Sequence, residues 1–280
     1  MLFGAPHGTP YQSIDNEPYA ATPDVLRDAL EDDARWLDHW DFDLDGPLLG
    51  EGDFRLADAG NLLTSPEDGA GNRALIKEAT SQIVDAAAIP LMIGGDDSTP
   101  IPFIEALAPA GPLTIVQIDT HIDWRDERRG EPLGFSSTMR RASELAHVER
   151  IIQVGMRGLG SARREEVEIA RDWGAQIFTA RDLHRGGIET VMTHVPAGAS
   201  CLITLDCDAL DPGIMPAVMA PTPGGLTYTQ SIDLIGAVIA KTNLVAFDLI
   251  EFVPGRDHDG TAAITAARLV ANVIGCLARK

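Results

Sequence analysis

LTIVQIDTHID, residues 113–123, sets a mostly apolar, β-branched run directly before an alternation of potential metal ligands. A short apolar run of this kind, closed by polar residues, predicts a buried strand over Leu113–Asp119. In extended geometry, residues i, i+2 and i+4 face one side, so Asp119, His121 and Asp123 are expected to converge on one point. Asp206 and Asp208 repeat the spacing after Cys201–Leu205, with Cys207 between them expected to point the other way. Five such groups in one crevice repel each other strongly unless cations neutralise them. Mixed carboxylate and imidazole donors suit Mn²⁺ first, then Ni²⁺, Fe, Co or Zn, and shared carboxylates bring two ions close together. A single Asp at a strand end is ordinarily a turn residue or helix cap, so the weight rests on the paired clusters.

Outward from this segment, short β-rich runs alternate with helical patterns. Strands are predicted at Leu91–Gly95, Leu113–Asp119, Arg150–Gly155, Gln176–Ala180, Cys201–Asp206 and Val245–Glu251. Helices are predicted at about 73–88, 98–108, 137–147, 160–173, 228–241 and 261–278. The alternation argues for βαβ units and a parallel sheet covered by helices on both faces. The first seventy residues are less regular, with a strand at Met1–Ala5, a helix near 24–40 and a short strand around Phe54–Ala59. No repeat or long linker divides the chain, so residues 1–280 are read as a single domain. Ligand sites of such sheets lie outside the carboxyl ends of the strands. Four of the six strand ends finish in carboxylates, at Asp96-Asp97, Asp119, Asp206 and Glu251.

Composition mainly excludes. Forty-two acids against 22 Lys and Arg give a formal charge of −20, which repels nucleic-acid backbones and anionic membranes. Three cysteines without a CxxC pair fit no disulfide framework and suit a reducing cytoplasm. No basic-then-apolar leader opens the chain, and its apolar runs are broken by charge or glycine, so a soluble, unprocessed protein is expected. Gly155-Met-Arg-Gly158-Leu-Gly160 lacks the spacing of a dinucleotide loop and is read as structural.

The segments GGDDS (94–98), DTHID (119–123), TLDCDALDP (204–212), PTPGGLTY (221–228) and DLIEFVP (248–254) resemble the signature blocks of the ureohydrolases, the arginase and agmatinase superfamily. GAPHGTPY (4–11) and TAARLVANVIG (265–275) extend the resemblance over nearly the whole chain. It implies a three-layer α/β/α, arginase-like fold with a central parallel sheet and a homotrimer or homohexamer. It also implies a binuclear manganese centre that hydrolyses a guanidino group to urea and an amine, through a hydroxide bridging the two metals. Carried over residue by residue, it assigns Asp97, Asp119, Asp123 and Asp206 to one metal. His121 and Asp208 complete the other, with Asp119 and Asp206 as bridges. Glu251 is implied to hydrogen-bond the planar guanidinium, which suits a carboxylate.

Two departures from the family pattern stand out. Asp97 occupies the histidine position of the usual GGDHS, so five carboxylates facing two divalent cations leave one net negative charge. In GEPLGFSSTMRRASE (130–144), Phe135 stands where relatives carry a histidine that helps move a proton to the leaving amine. Asp126 or water is the expected substitute, a positioned acid–base group being worth about 10²–10⁴-fold in rate. The charged loop Trp124–Arg129 is expected to border the substrate entrance. Agmatine is the default substrate for so acidic a surface, whereas a guanidino acid needs a cation, which Arg125, Arg128 or Arg129 would supply. Two other classes compete: a non-catalytic ureohydrolase-like subunit that assembles with an active paralogue, and a protein that captures cationic amines without turnover.

Overall fold

The structure is a computed structural model that describes residues 1–280 except Ser13 and Ser161. Among the described residues the strands are β1 (Leu2–Ala5), β2 (Trp40–Asp41), β3 (Gly46–Pro47), β4 (Asp58–Asn61), β5 (Leu91–Gly94), β6 (Leu113–Ile118), β7 (Val148–Met156), β8 (Gln176–Thr179), β9 (Ser200–Asp206) and β10 (Asn243–Ile250). Among the described residues the α-helices are α1 (Thr22–Ala34), α2 (Gly69–Asp85), α3 (Pro100–Ala106), α4 (Thr138–Ala142), α5 (Arg164–Trp173), α6 (Ala180–Gly186), α7 (Glu189–Met192), α8 (Tyr228–Lys241) and α9 (Thr261–Ala278). Eight strands form one sheet in the order β4-β1-β5-β10-β9-β6-β7-β8, every pair parallel. The order decides where the chemistry lies. The chain leaves the sheet centre at β5, builds β6 to β8 outward, then returns to insert β9 and β10 into the gap. The four strands whose ends carry acids are therefore the consecutive run β5-β10-β9-β6.

Side-chain alternation along each strand feeds two cores. Ile93, Val116, Ile118, Ile203 and Leu249 pack toward α1, α6, α8 and α9. Met92, Ile115, Ile151 and Leu202 pack toward α2, α3, α4 and α5. Burial on both faces is why the central strands read as continuous apolar runs, each such side chain contributing about 1.5–3 kcal/mol on leaving water.

The expected strands are present, with changes at the margins. The helix near 24–40 stops at Ala34, and the acid-rich, aromatic segment after it turns into the β2–β3 ribbon. The strand expected around Phe54–Ala59 is shifted to Asp58–Asn61, at the sheet edge, where only β1 fixes its register. The helix expected at 137–147 is a single turn and a half, and α6 and α7 fill a stretch with no earlier assignment. α9 is long and apolar enough, by length and composition, to cross a membrane, although Arg268 and Gly275 interrupt its apolar run. Eleven of its residues are buried where it packs on α1 and α8, so its apolarity serves this core.

Candidate metal centre

Asp119, His121 and Asp208 bring ligand atoms within 4.8 Å of one another, and so do Asp97, Asp119 and Asp123. Asp119 belongs to both triads. Asp206, in neither, is buried beside them and lines the same cavity of about 300 Å³ together with Glu251. Every acid of this group is deeply buried: Asp97, Asp119, Asp123, Asp206, Asp208 and Glu251 are each less than a tenth exposed.

The convergence is real, but strand alternation is not its cause. β6 ends at Ile118, and the next residues turn: the His121 N–H donates to Asp119 Oδ1 at 2.6 Å, and Asp123 sits at φ +51°. β9 likewise ends at Asp206, whose Oδ1 caps a short 3₁₀ turn by accepting the Asp208 N–H at 2.7 Å. Tight turns after the strands, rather than extended backbone, aim the carboxylates inward. Cys207 points into the apolar core, as the spacing requires. Glu251 also has a left-handed φ, +64°, and its N–H donates to the Gly95 carbonyl at 2.8 Å. Two non-glycine residues held in this region cost about 1–3 kcal/mol each and persist where the surroundings over-determine them. Gly155, at φ +107°, lets the end of β7 approach Asp119: a Cβ there would lie 2.7 Å from the Asp119 carbonyl oxygen.

A buried polar chain orients the shared ligand. The Trp124 indole N–H, which can only donate, bonds Gln153 Oε1 at 3.1 Å; Gln153 Nε2 therefore donates to Gln117 Oε1 at 2.6 Å. That leaves Gln117 Nε2 to donate to Asp119 Oδ2 at 2.8 Å and Asp123 Oδ2 at 2.7 Å. Gln117 and Gln153 face each other in the β6–β7 register. Neither was singled out in the sequence, although each is a polar residue interrupting an apolar strand. Gln117→Leu is expected to weaken metal affinity about 10–100-fold, as removal of such supporting hydrogen bonds does. Metal content measured against a graded chelator series checks this; unchanged retention would show that Gln117 supports only the strand pairing.

The Asp208 loop is pinned from behind. Arg157 donates to the carbonyls of Asp208 (2.7 Å), Ala209 (3.0 Å), Leu210 (3.1 Å) and Thr222 (2.8 Å), which gives the Gly-Met-Arg-Gly stretch a structural task. Thr120 Oγ1 adds a bond to the Asp208 carbonyl at 2.8 Å. Glu251 is held by Tyr19, whose hydroxyl donates to Oε2, and by the Asp97 N–H, which donates to Oε1 at 2.9 Å. Tyr19 lies in the irregular early segment and gave no sequence signal.

Electrostatics match a site built for cations. Burial, then the charges of Asp123, Asp119 and Glu251, hold the Asp97 carboxyl well above the ordinary carboxylate range. Burial and neighbouring carboxylates do the same to Asp123 and Asp206, and burial raises Asp119. Glu251 is pushed up to about 8, chiefly by burial. His121 shows the opposite balance: burial disfavours its imidazolium, but Asp208 and Asp119, 3.1 and 3.5 Å from Nδ1, outweigh that and push it up to about 12. Asp97 Oδ2 is buried without a hydrogen-bond partner among the described residues. An orphaned carboxylate oxygen in a cluster of acids, sharing Asp119 with an imidazole-containing triad, fits a pair of divalent cations.

Asp126 is placed elsewhere. Its carboxylate is largely exposed, accepts from Arg141 Nη2 at 2.8 Å and is not among the residues lining the cavity. Phe135 does line the cavity, packed edge-on against Tyr11 at 4.8 Å between ring centroids. Arg125 and Arg128 line it too, as the entrance reading of the Trp124–Arg129 loop requires.

The Arginase family pattern matches residues 1–276. Over 203 residues the chain is 34% identical to N(1)-aminopropylagmatine ureohydrolase of Thermus thermophilus, a match covering 72% of this chain and 67% of that protein. It is 32% identical over 208 residues to the mitochondrial guanidino acid hydrolase of Homo sapiens, covering 72% of this chain and 58% of that one. The crystal structure of agmatine ureohydrolase of Thermoplasma volcanium superposes with a TM-score of 0.82 at 27% identity, covering 98% of this chain and 88% of the other.

Proposed function

We propose, from the premise that this chain belongs to the arginase family, that it is a binuclear-metal amidinohydrolase releasing urea and an amine from a guanidino compound. The observation that carries this reading is the pair of ligand triads sharing Asp119 beneath a cavity that also holds Glu251. Asp97, Asp119, Asp123, Asp206, His121 and Asp208 would hold the two ions, Mn²⁺ first and Ni²⁺ or another divalent ion after it. When bound, such a pair supplies Lewis acidity and lowers the pKa of water held there.

The protein's own groups do the rest. Glu251, fixed through both oxygens by Tyr19 and the Asp97 N–H, presents its remaining lone pairs to the planar guanidinium. The buried floor excludes bulk water and strengthens that pairing. Phe135 brings no proton to the leaving nitrogen, so the titratable groups of the lining and water must serve, and a turnover slower than that of histidine-bearing relatives is expected. Six buried acids directed at one point are costly without cations, which weighs against a metal-free assembly subunit or amine-capture protein. The reading extends to a cytoplasmic homotrimer or homohexamer, with three free cysteines consistent with a reducing compartment. The relatives named above point to both an amine-tailed and an acid-tailed guanidino substrate.

The deciding measurement is metal stoichiometry after loading with Mn²⁺ or Ni²⁺, with urea release assayed on agmatine, arginine, 4-guanidinobutyrate, 3-guanidinopropionate and guanidine. Two ions per chain and urea from at least one compound are expected. Two ions with no urea from any would sink the hydrolase reading and leave the metal site standing.

A further inference from the structure

We propose that the substrate carries a carboxylate at the end opposite its guanidino group, and that Arg128 reads it; this rests on the amidinohydrolase reading above. The acids of the cavity lining are Asp97, Asp123, Asp206, Asp208 and Glu251, all on the metal and guanidinium floor. None is left for a second cation. The uncharged part of the lining is largely apolar, with Ile14, Phe135, Met219 and Ala220, which suits a short methylene spacer. Apart from His121 beside Asp119 and Asp208, the remaining charged side chains of the lining are the cations Arg125 and Arg128.

Those two arginines are not equivalent. Arg125 is committed to Glu166, with Nε 3.5 Å from Oε1. Arg128 has no carboxylate within ion-pair distance among the described residues. It is half-buried, and its guanidinium lies over the rings of Tyr11 and Phe135, 5.1 and 5.8 Å from their centroids. The two rings brace each other edge to face, the Tyr11 hydroxyl accepts the Ser136 N–H at 3.3 Å, and Gly134 packs so closely on Tyr11 that a Cβ would lie 2.3 Å from its ring. Paired backbone bonds between Arg128 and Glu131, 3.0 and 3.2 Å, close the loop that carries it. Stacking fixes the guanidinium plane while leaving its N–H edge for a bidentate acceptor, the geometry in which Arg binds carboxylates. Phe135 thus has a use that a proton-carrying imidazole would not: it is half of the platform under Arg128.

An ω-guanidino acid satisfies every part of this arrangement: guanidinium on the floor, methylenes on the apolar wall, carboxylate on Arg128. An ammonium tail would instead approach the Arg128 cation, with no further acid in the cavity lining to receive it. The reaction balances as R–NH–C(NH2)2⁺ plus H2O giving R–NH3⁺ plus urea. The bond from the guanidino carbon to the substituted nitrogen breaks, water supplies the oxygen of urea, and both of its protons end on the leaving nitrogen, which departs as ammonium. The other product is an ω-amino acid.

The test pairs 4-guanidinobutyrate with agmatine, of similar length and opposite tail charge, on metal-loaded wild type, R128Q, R128K and R128E. Wild type is expected to favour the acid at least about 10-fold in kcat/KM. R128Q should lower kcat/KM for the acid about 10–100-fold, mainly through KM, the loss typical of one charged hydrogen-bonded partner, while changing agmatine less than about 3-fold. R128K should recover part of the loss, and R128E should move preference to agmatine. Calorimetric binding of both compounds gives a second readout independent of turnover. Wild type preferring agmatine, or R128Q weakening both compounds equally, overturns the assignment while leaving hydrolysis intact. Selective, Arg128-dependent binding of the acid without urea release overturns hydrolysis and leaves the assignment standing.

Discussion

Asp119→Asn is expected to lower urea release by at least about 10³-fold and to strip the protein of bound metal, because Asp119 is the one ligand common to both triads. The loss is of the size that several kcal/mol of Lewis-acid stabilisation implies. Asparagine matches the carboxylate in shape, so packing survives; its donors and acceptors do not match. Asp119 Oδ1 accepts the His121 N–H and Oδ2 accepts Gln117 Nε2. Whichever way the amide is turned, its NH2 meets one of those donors, and one hydrogen bond becomes a donor–donor contact. Asp123→Asn touches only the triad with Asp97 and Asp119, and is expected to cost about one of two ions. Metal content by mass spectrometry, beside kcat on the best guanidino substrate, separates the two variants. Retention of two ions by Asp119→Asn would remove it as a bridge.

How much of this was readable in the chain varies residue by residue. DTHID and DCD announced a cation site through residue type alone, yet the geometric reason offered for them, alternation in a strand, fails at Ile118 and Asp206, where the backbone turns. Nothing in the spacing of GGDDS, DTHID, DCD and Glu251 reveals that their strands are neighbours; that follows from β9 and β10 inserting beside β5, a long-range choice that local pattern does not encode. Gln117 and Gln153 were visible as polar interruptions of LTIVQI and RIIQV, but their pairing needs the β6–β7 register. Tyr19 and Asp126 exchange places between expectation and structure for a related reason. Sequence proximity put Asp126 near the site, whereas the turn after Asp123 carries it outward to Arg140 and Arg141. Net charge is as uninformative about local detail: −20 averages the whole chain, while the lining of the cavity includes the cations Arg125 and Arg128.

Removing metal is expected to lower thermal stability by an amount that grows with pH. Each ion held at about a thousand times its dissociation constant stabilises the fold by about 4 kcal/mol, so two give about 8 kcal/mol, or about 15 °C for a chain of this size. The pH dependence follows from the proton count. In the unfolded chain carboxyls titrate near 4. In the metal-free fold, burial and mutual repulsion hold Asp97, Asp123 and Asp206 well above that, and burial raises Asp119. His121, pushed up to about 12, also keeps its proton beyond the unfolded value near 6.5. All of these raised groups make the native state bind more protons than the unfolded state, so metal-free stability falls as pH rises from about 4. Metal ions take the place of those protons and bind more tightly as pH rises. Loaded and chelated protein should therefore melt within a few degrees of each other near pH 5 and diverge most near pH 8. Asp248 supplies the control. It is buried on β10, belongs to neither triad, accepts from Thr204 Oγ1 at 2.7 Å, and is pushed up to about 8 by burial. Its downward slope between about pH 4 and 8 should persist in loaded protein and vanish in Asp248→Asn, which keeps the Thr204 bond and cannot ionise. Calorimetric melts of both proteins across pH 5–9 decide it: a chelated protein as stable at pH 8 as the loaded one would mean that these buried acids do not hold the ions.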